Sequence, residues 1–167
     1  VSGTGAVQPV QLTTADLALL GEGQVSVSAT QTDTAGNIQT TPAAAATFIL
    51  DTVSPTIAIT STASALKAGE TATLTFTLSE YSLNFTVGDV TVTGGTLSGF
   101  AGSGSAYTAT FTPTANSTTP GTASVAAARF TDTAGNGNVA GSLVTPIAID
   151  TATPTITIAS SRASLKA

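Results

Sequence analysis

The chain has 167 residues, of which 41% are hydrophobic, 5% aromatic and 8% charged, with a net charge of −5. Cys, His, Met and Trp are all absent. That excludes a disulfide framework, a thiolate or imidazole metal site and the common His- and Cys-based catalytic groups. Four basic residues (Lys67, Arg129, Arg162 and Lys166) face nine acidic ones, so nucleic acid and acidic membrane surfaces are repelled rather than gathered.

Mean hydropathy is +0.36, yet no membrane insertion is expected. The longest apolar run, Ala43–Leu50, is interrupted by Thr47 and falls far short of the ~18–20 residues of a spanning helix. A transmembrane barrel needs aromatic girdles, and two Tyr without Trp do not supply them.

In chain order, the first element is a helical turn at Thr14–Leu20, with Thr14 as its cap. Next comes Thr32-Asp33-Thr34-Ala35-Gly36-Asn37, and then the linker Asp51-Thr52-Val53-Ser54-Pro55-Thr56-Ile57. Strand patterns follow at Thr56–Thr60 and Thr71–Leu78. In the latter, Ala72, Leu74, Phe76 and Leu78 face one way and the intervening threonines the other, the mark of a half-buried antiparallel strand. Further strands are read at Asn84–Thr93, Thr96–Phe100, Tyr107–Thr112, Thr122–Phe130 and Leu143–Ile149. Gly94-Gly95 reads as a tight hairpin and Gly102–Gly104 as a loop. The latter is no phosphate cradle, because no helix or Lys follows it.

The hexapeptide at 32–37 recurs as Thr131-Asp132-Thr133-Ala134-Gly135-Asn136, the linker recurs from Asp150, and Leu66-Lys67-Ala68 recurs as Leu165-Lys166-Ala167, each offset by 99 residues. The chain is therefore a tandem repeat. Residues 51–150 form one complete unit, 1–50 the C-terminal half of a preceding unit, and 151–167 the start of the next. About seven short strands in roughly one hundred residues predict an all-β fold, an Ig-like antiparallel β-sandwich.

Up-and-down topology brings distant acids together at one end of such a sandwich. Asp51 stands at the start, Glu80 at the end of the second strand, and Asp132 with Asn136 in the loop before the last strand. Asp16 and Glu22 of the preceding unit fall at the end facing that linker. Crowded carboxylates repel unless protonated or bridged by a cation, and an all-oxygen donor set suits Ca²⁺. The same residues also make ordinary turns, because Asp bonds its own backbone and Gly and Asn accept positive φ. Both readings fit the spacing.

Taken together, Thr-Asp-Thr-Ala-Gly-Asn, Asp-Thr-x-x-Pro-Thr-Ile, Leu-Lys-Ala-Gly-Glu, Phe-Thr-Leu-Ser-Glu and Asp-Val-Thr-Val-Thr-Gly-Gly-Thr-Leu resemble the bacterial Ig-like repeats of giant biofilm-associated and repeats-in-toxin adhesins. The resemblance covers residues 51–150 well and 24–50 and 151–167 in part. It implies an extracellular stalk on the bacterial surface, with Ca²⁺ at domain junctions and neighbouring repeats as partners. Asp51, Asp132 and Asp150 match the family's usual ligand positions, as does Asp33 for the preceding unit. Glu80 is a partner, and Asp89 is a weaker candidate on a strand edge. The Tyr81-Ser82-Leu83-Asn84 that follows Glu80 departs from the family, where small or aliphatic residues are common, and so puts the shape of that loop in doubt.

No enzyme is expected. A glycosidase pair of Glu80 and Asp132 would sit at a junction rather than in a cleft. The alternatives to a stalk are a surface-layer or filament subunit, with lateral self-association, and a carbohydrate- or surface-binding module. For the last, Tyr81 is the one aromatic placed to stack, since Tyr107 alternates into the core. Asn84-Phe85-Thr86 and Asn116-Ser117-Thr118 fit a glycosylation pattern and are read as chance.

Overall fold

The computed structural model describes residues 11–40 and 45–161. The chain divides into two compact units, Val1–Val53 and Ser54–Ala167. Among the described residues, no helix is long and apolar enough to cross a membrane.

In the first unit, helix α1 (Thr14–Leu20) begins at the cap Thr13, one residue before the Thr14 expected. Thr13 wins because Asp16 stands three residues on and completes a capping box: the Thr13 N–H donates to Asp16 Oδ2 at 2.8 Å, and the Asp16 N–H donates to Thr13 Oγ1 at 3.2 Å. Strands β1 (Gly23–Val27) and β2 (Ala46–Leu50) pair antiparallel, from Gly23 opposite Leu50 to Val27 opposite Ala46.

The second unit is an Ig-like antiparallel β-sandwich. Its elements are β3 (Ile57–Ser61), β4 (Ala65–Lys67), β5 (Ala72–Ser82), a 3-10 turn (Val87–Asp89), β6 (Val90–Thr93), β7 (Gly95–Pro113), β8 (Thr122–Val125), β9 (Gly141–Ser142) and β10 (Ala148–Asp150). One sheet has the order β3-β5-β7 and the other β6-β8-β9, while β4 and β10 form a parallel pair. Leu74, Phe76 and Leu78 on β5 are buried against Tyr107, Ala109 and Phe111 of β7 and Ala123 and Val125 of β8. The threonines between them take the solvent face: Thr75 lies opposite both Thr60 and Thr108 in the register. Phe85 is buried within the aromatic part of the core. Its ring lies 5.0 Å from Tyr107 and 5.1 Å from Phe130, both edge-on, the arrangement favoured by the ring quadrupoles.

Four local expectations change. Gly94-Gly95 makes no hairpin between paired neighbours. β6 pairs with β8, and the chain passes at Gly94 into β7 of the other sheet. Glycines are needed there for close approach: a Cβ on Gly94 would lie 2.5 Å from the Pro120 carbonyl oxygen, and one on Gly95 2.4 Å from that of Thr112. The expected loop at Gly102–Gly104 is part of β7, which folds back on itself, with Gly102 against Ala106 and the Thr114 N–H donating to the Gly94 carbonyl at 2.9 Å. The strand expected over 122–130 stops at Val125, because Asn138 captures the backbone beyond it. The last strand is broken into β9 and β10 around Pro146, which has no N–H to give.

Candidate metal site

β5 is longer than its apolar alternation implies. It runs on to Ser82, so Glu80 lies within the strand and not at its end. Between Thr77, opposite Ala106, and Ser82, opposite Gly104, the register slips, and β5 spends more residues than β7. Such a bulge re-aims side chains, and Glu80 and Tyr81 both sit in it. Tyr81 is therefore a strand residue rather than a loop residue; it is exposed, with its ring over Gly104.

Three segments are tied to one another around this bulge. The Thr56 N–H donates to Ser79 Oγ at 2.8 Å, and the Ser79 N–H donates back to the Thr56 carbonyl at 3.0 Å. The Val139 N–H donates to the Pro55 carbonyl at 2.9 Å. Asn84 joins the far end of β5 to the 131–136 turn: its Oδ1 accepts from the Thr131 N–H at 3.0 Å and from Ser82 Oγ at 2.9 Å, while its Nδ2 donates to Thr131 Oγ1 at 3.3 Å. Asn84 therefore works through its amide, in the segment that the glycosylation pattern had marked.

The turn itself is held by Asp132, which is only 6% exposed. Its Oδ1 accepts from the N–H groups of Ala134, Gly135 and Asn136 at 2.8, 2.7 and 2.9 Å, and its Oδ2 accepts from Asn136 Nδ2 at 2.8 Å. Burial, the largest single influence, pushes the carboxyl pKa up. The bonds from the Asn136 side chain and from the three backbone N–H groups outweigh it and hold the carboxyl below the ordinary aspartate value. Asn136 thus serves the turn through its amide nitrogen and backbone. The next polar residue, Asn138, is 3% exposed and fully engaged. It accepts from the Arg129 and Phe130 N–H groups at 2.7 and 3.0 Å and donates to the Ala126 and Val139 carbonyls, both at 2.9 Å. Asn138 carries no motif that marks it in the sequence. Its one signal was a second Asn two residues past Asn136 in a strand-like segment.

Asp51 follows β2 and leads through Thr52 and Val53 to Ser54, where the second unit begins. One carboxylate oxygen from each of Asp51, Glu80 and Asp132 lies within 4.8 Å of the others; Asp51 and Glu80 are half-buried and Asp132 is buried. Asp132 Oδ2 takes a single hydrogen bond from the turn, which leaves it lone-pair capacity. The donor set is hard, anionic and all oxygen, and it fits Ca²⁺, which takes six to eight such ligands at ~2.3–2.6 Å and completes its shell with carbonyls and water.

The other expected ligands have local partners. Asp16 caps α1, and the backbone and hydroxyl bonds from Thr13 lower its pKa. Glu22 accepts from Thr52. Asp33 closes its own turn, accepting from the Ala35 and Asn37 N–H groups at 2.9 and 2.8 Å and from Asn37 Nδ2 at 2.7 Å. Bonds from the Asn37 side chain and then its backbone hold the Asp33 carboxyl below the ordinary value. Asp89 caps the 3-10 turn by accepting from the Thr86 N–H at 2.8 Å. Asp150 ends β10 opposite Lys67 and accepts from the Ala152 N–H at 3.2 Å. Among the described residues, the acids brought together as a group are Asp51, Glu80 and Asp132.

Comparison with known proteins gives a match between residues 51–149 and a family model described as a bacterial Ig-like domain. No curated protein and no solved structure matches the chain.

Proposed function

From the premise that the chain belongs to the bacterial Ig-like domain family, a family of non-enzymatic surface-protein modules, we propose that it is an extender segment of a bacterial adhesin stalk outside the cell. In this reading a Ca²⁺ ion held by Asp51, Glu80 and Asp132 stiffens the linker at the head of the complete repeat. The observation that carries the reading is the convergence of the three carboxylates within 4.8 Å. They come from positions far apart in the chain, and each follows or precedes a hydrogen-bonded tie between the same three segments.

Three ionised carboxylates at that separation repel one another, and a divalent cation reverses the sign of the interaction. The ion would join the linker to β5 and to the 131–136 turn, so its binding energy adds to the folding energy of the domain. Low Ca²⁺ inside a cell and higher Ca²⁺ outside would then favour folding after export. A free-ion concentration about 100 times Kd contributes about 2.7 kcal/mol, which raises the melting midpoint of a domain this size by on the order of ten degrees.

The test is calorimetry of the chain in excess EDTA and in millimolar Ca²⁺, together with titration by Ca²⁺ of the wild type and of Glu80→Gln. A midpoint that rises with Ca²⁺ in the wild type, and rises much less in the variant, supports the reading. Superimposable melts of the wild type with and without Ca²⁺ would end it.

A further inference from the structure

The dipeptide Asp-Thr opens both linkers, as Asp51-Thr52 and as Asp150-Thr151, 99 residues apart. The aspartates behave alike, each closing a short turn by accepting the N–H two residues on, Val53 at 3.1 Å and Ala152 at 3.2 Å. That turn is complete without any help from the threonine. Yet each threonine is bound again, by the unit that it leaves.

Thr52 N–H donates to Glu22 Oε2 at 2.9 Å, and the Thr52 hydroxyl donates to Glu22 Oε1. Thr151 is held by other chemistry. Its hydroxyl reaches the carbonyls of Thr114 at 2.7 Å and Ser117 at 3.1 Å and accepts the Ser117 N–H at 2.9 Å. Its own N–H donates to the Ser117 carbonyl at 3.0 Å, and the residue is 4% exposed. The segment doing the holding is the corresponding one in both units: the stretch just before β1 in the first and just before β8 in the second. These two stretches are unlike in sequence. One carries α1 and a carboxylate, and the other is an irregular loop offering main-chain groups. Two different solutions therefore hold the same side chain at the same repeat position, and turn formation alone accounts for neither.

We propose that Thr52 and Thr151 are the positioning residues of the joint: each locks the linker to the domain it leaves without a metal ion, and so presents the preceding aspartate in a fixed place. The ligand role of that aspartate rests on the proposed function above, but the lock does not. Glu22 then acts as the holder of Thr52 and not as a ligand. The linker is then held by two different chemistries, the threonine without a metal ion and the aspartate carboxylate with one, and chelation releases only the second.

The experiment uses the whole chain, the variants Thr52→Val and Thr151→Val, which keep shape and lose the hydroxyl, and Thr52→Ser, which keeps it. Amide hydrogen exchange at positions 52 and 151 is read by NMR in excess EDTA and in millimolar Ca²⁺, and Ca²⁺ affinity is measured by titration. The wild-type amides should be protected equally in both buffers. Exchange should rise about fivefold to tenfold at the substituted site in the Val variants, the scale of one hydrogen bond, and return toward wild type with Ser. Thr52→Val should also weaken Ca²⁺ binding severalfold although no carboxylate has changed. Unprotected amides in EDTA, or Val variants that exchange like the wild type, would overturn the lock. Should the wild type bind no Ca²⁺ while the amides behave as expected, the metal reading fails and the lock stands.

Discussion

The hexapeptide Thr-Asp-Thr-Ala-Gly-Asn occurs twice in this chain, and its copies at 32–37 and 131–136 fold alike in unlike surroundings. In both, the Asp carboxylate gathers backbone N–H groups and the Asn side-chain amide. Both Gly residues have positive φ, 90° at Gly36 and 99° at Gly135, and both turns are closed by an antiparallel bridge, Thr32 with Ile38 and Thr131 with Gly137. Asp33 is nevertheless exposed, whereas Asp132 is buried and brought to Asp51 and Glu80. The flanks make the difference. Phe130 and Asn138 frame the second copy; Gln31 and Gln39 stand at the same repeat positions around the first. Phe130 enters the aromatic core beside Phe85, and Asn138 ties down the backbone on both sides. A motif that satisfies its own backbone is a turn wherever it occurs. It becomes part of a site only when its neighbours pin it to a core.

This contrast is open to direct attack. The largest effect is expected from Phe130→Ala, which empties part of the core and should cost about 3–5 kcal/mol in denaturant unfolding. Gln31→Ala should stay within about 0.5 kcal/mol. Asn138→Ala comes next, at about 2–4 kcal/mol, because it leaves buried backbone groups without partners. An Asn138→Ala variant as stable as the wild type would show that the flank does not anchor the turn.

Gly135→Ala and Gly36→Ala should look alike locally. Neither site has a neighbouring atom within 4 Å of an added Cβ, so each pays only the backbone penalty of about 1–2 kcal/mol. Faster amide exchange within each turn, by similar factors, is the readout; a large difference would mean that the copies are not the same turn.

The smallest effect is in acid. Both carboxyls are held low, Asp33 by its hydrogen bonds and Asp132 by hydrogen bonds that overcome burial. A depressed aspartate contributes stability above the unfolded carboxylate range and loses it as pH falls through the folded value. Carboxyl carbon shifts in metal-free protein should therefore place both midpoints below that of an ordinary aspartate, and Asp132→Asn and Asp33→Asn should each flatten the acid limb of the stability curve. A midpoint for Asp33 at or above the ordinary value would contradict the bonding described.

Alternation was legible where one side of a strand is apolar, as over Ala72–Leu78, because burying one face of a sheet imposes a period of two. It was misleading past Leu78, where β5 continues as a bulge whose residues follow no period. The two strands read on either side of Gly102–Gly104 merged into one folded element, since glycine in sequence does not reveal whether it serves a loop or a close approach. For the candidate site, the acids themselves stood out in a chain so poor in charge. The amides that hold them in place, Asn84 and Asn138, did not, because a polar residue in a threonine-rich chain looks solvated until its partners are known.

By itself, the sequence showed the recurrence of motifs 99 residues apart, the Ig-like β-sandwich and the Asp-x-x-Gly-Asn turn, all of which depend on local spacing and on which residues are apolar. Only the tertiary structure decided which acids meet. Of the nine expected ligand residues, Asp51, Glu80 and Asp132 converge as acids, with Asn136 bonded to Asp132, while the others are taken up by caps, turns and the linker threonine. Convergence depends on the β5 bulge and on ties between segments dozens of residues apart. A long-range contact is set by the packing of the whole domain, whereas a turn is set by the few residues within it.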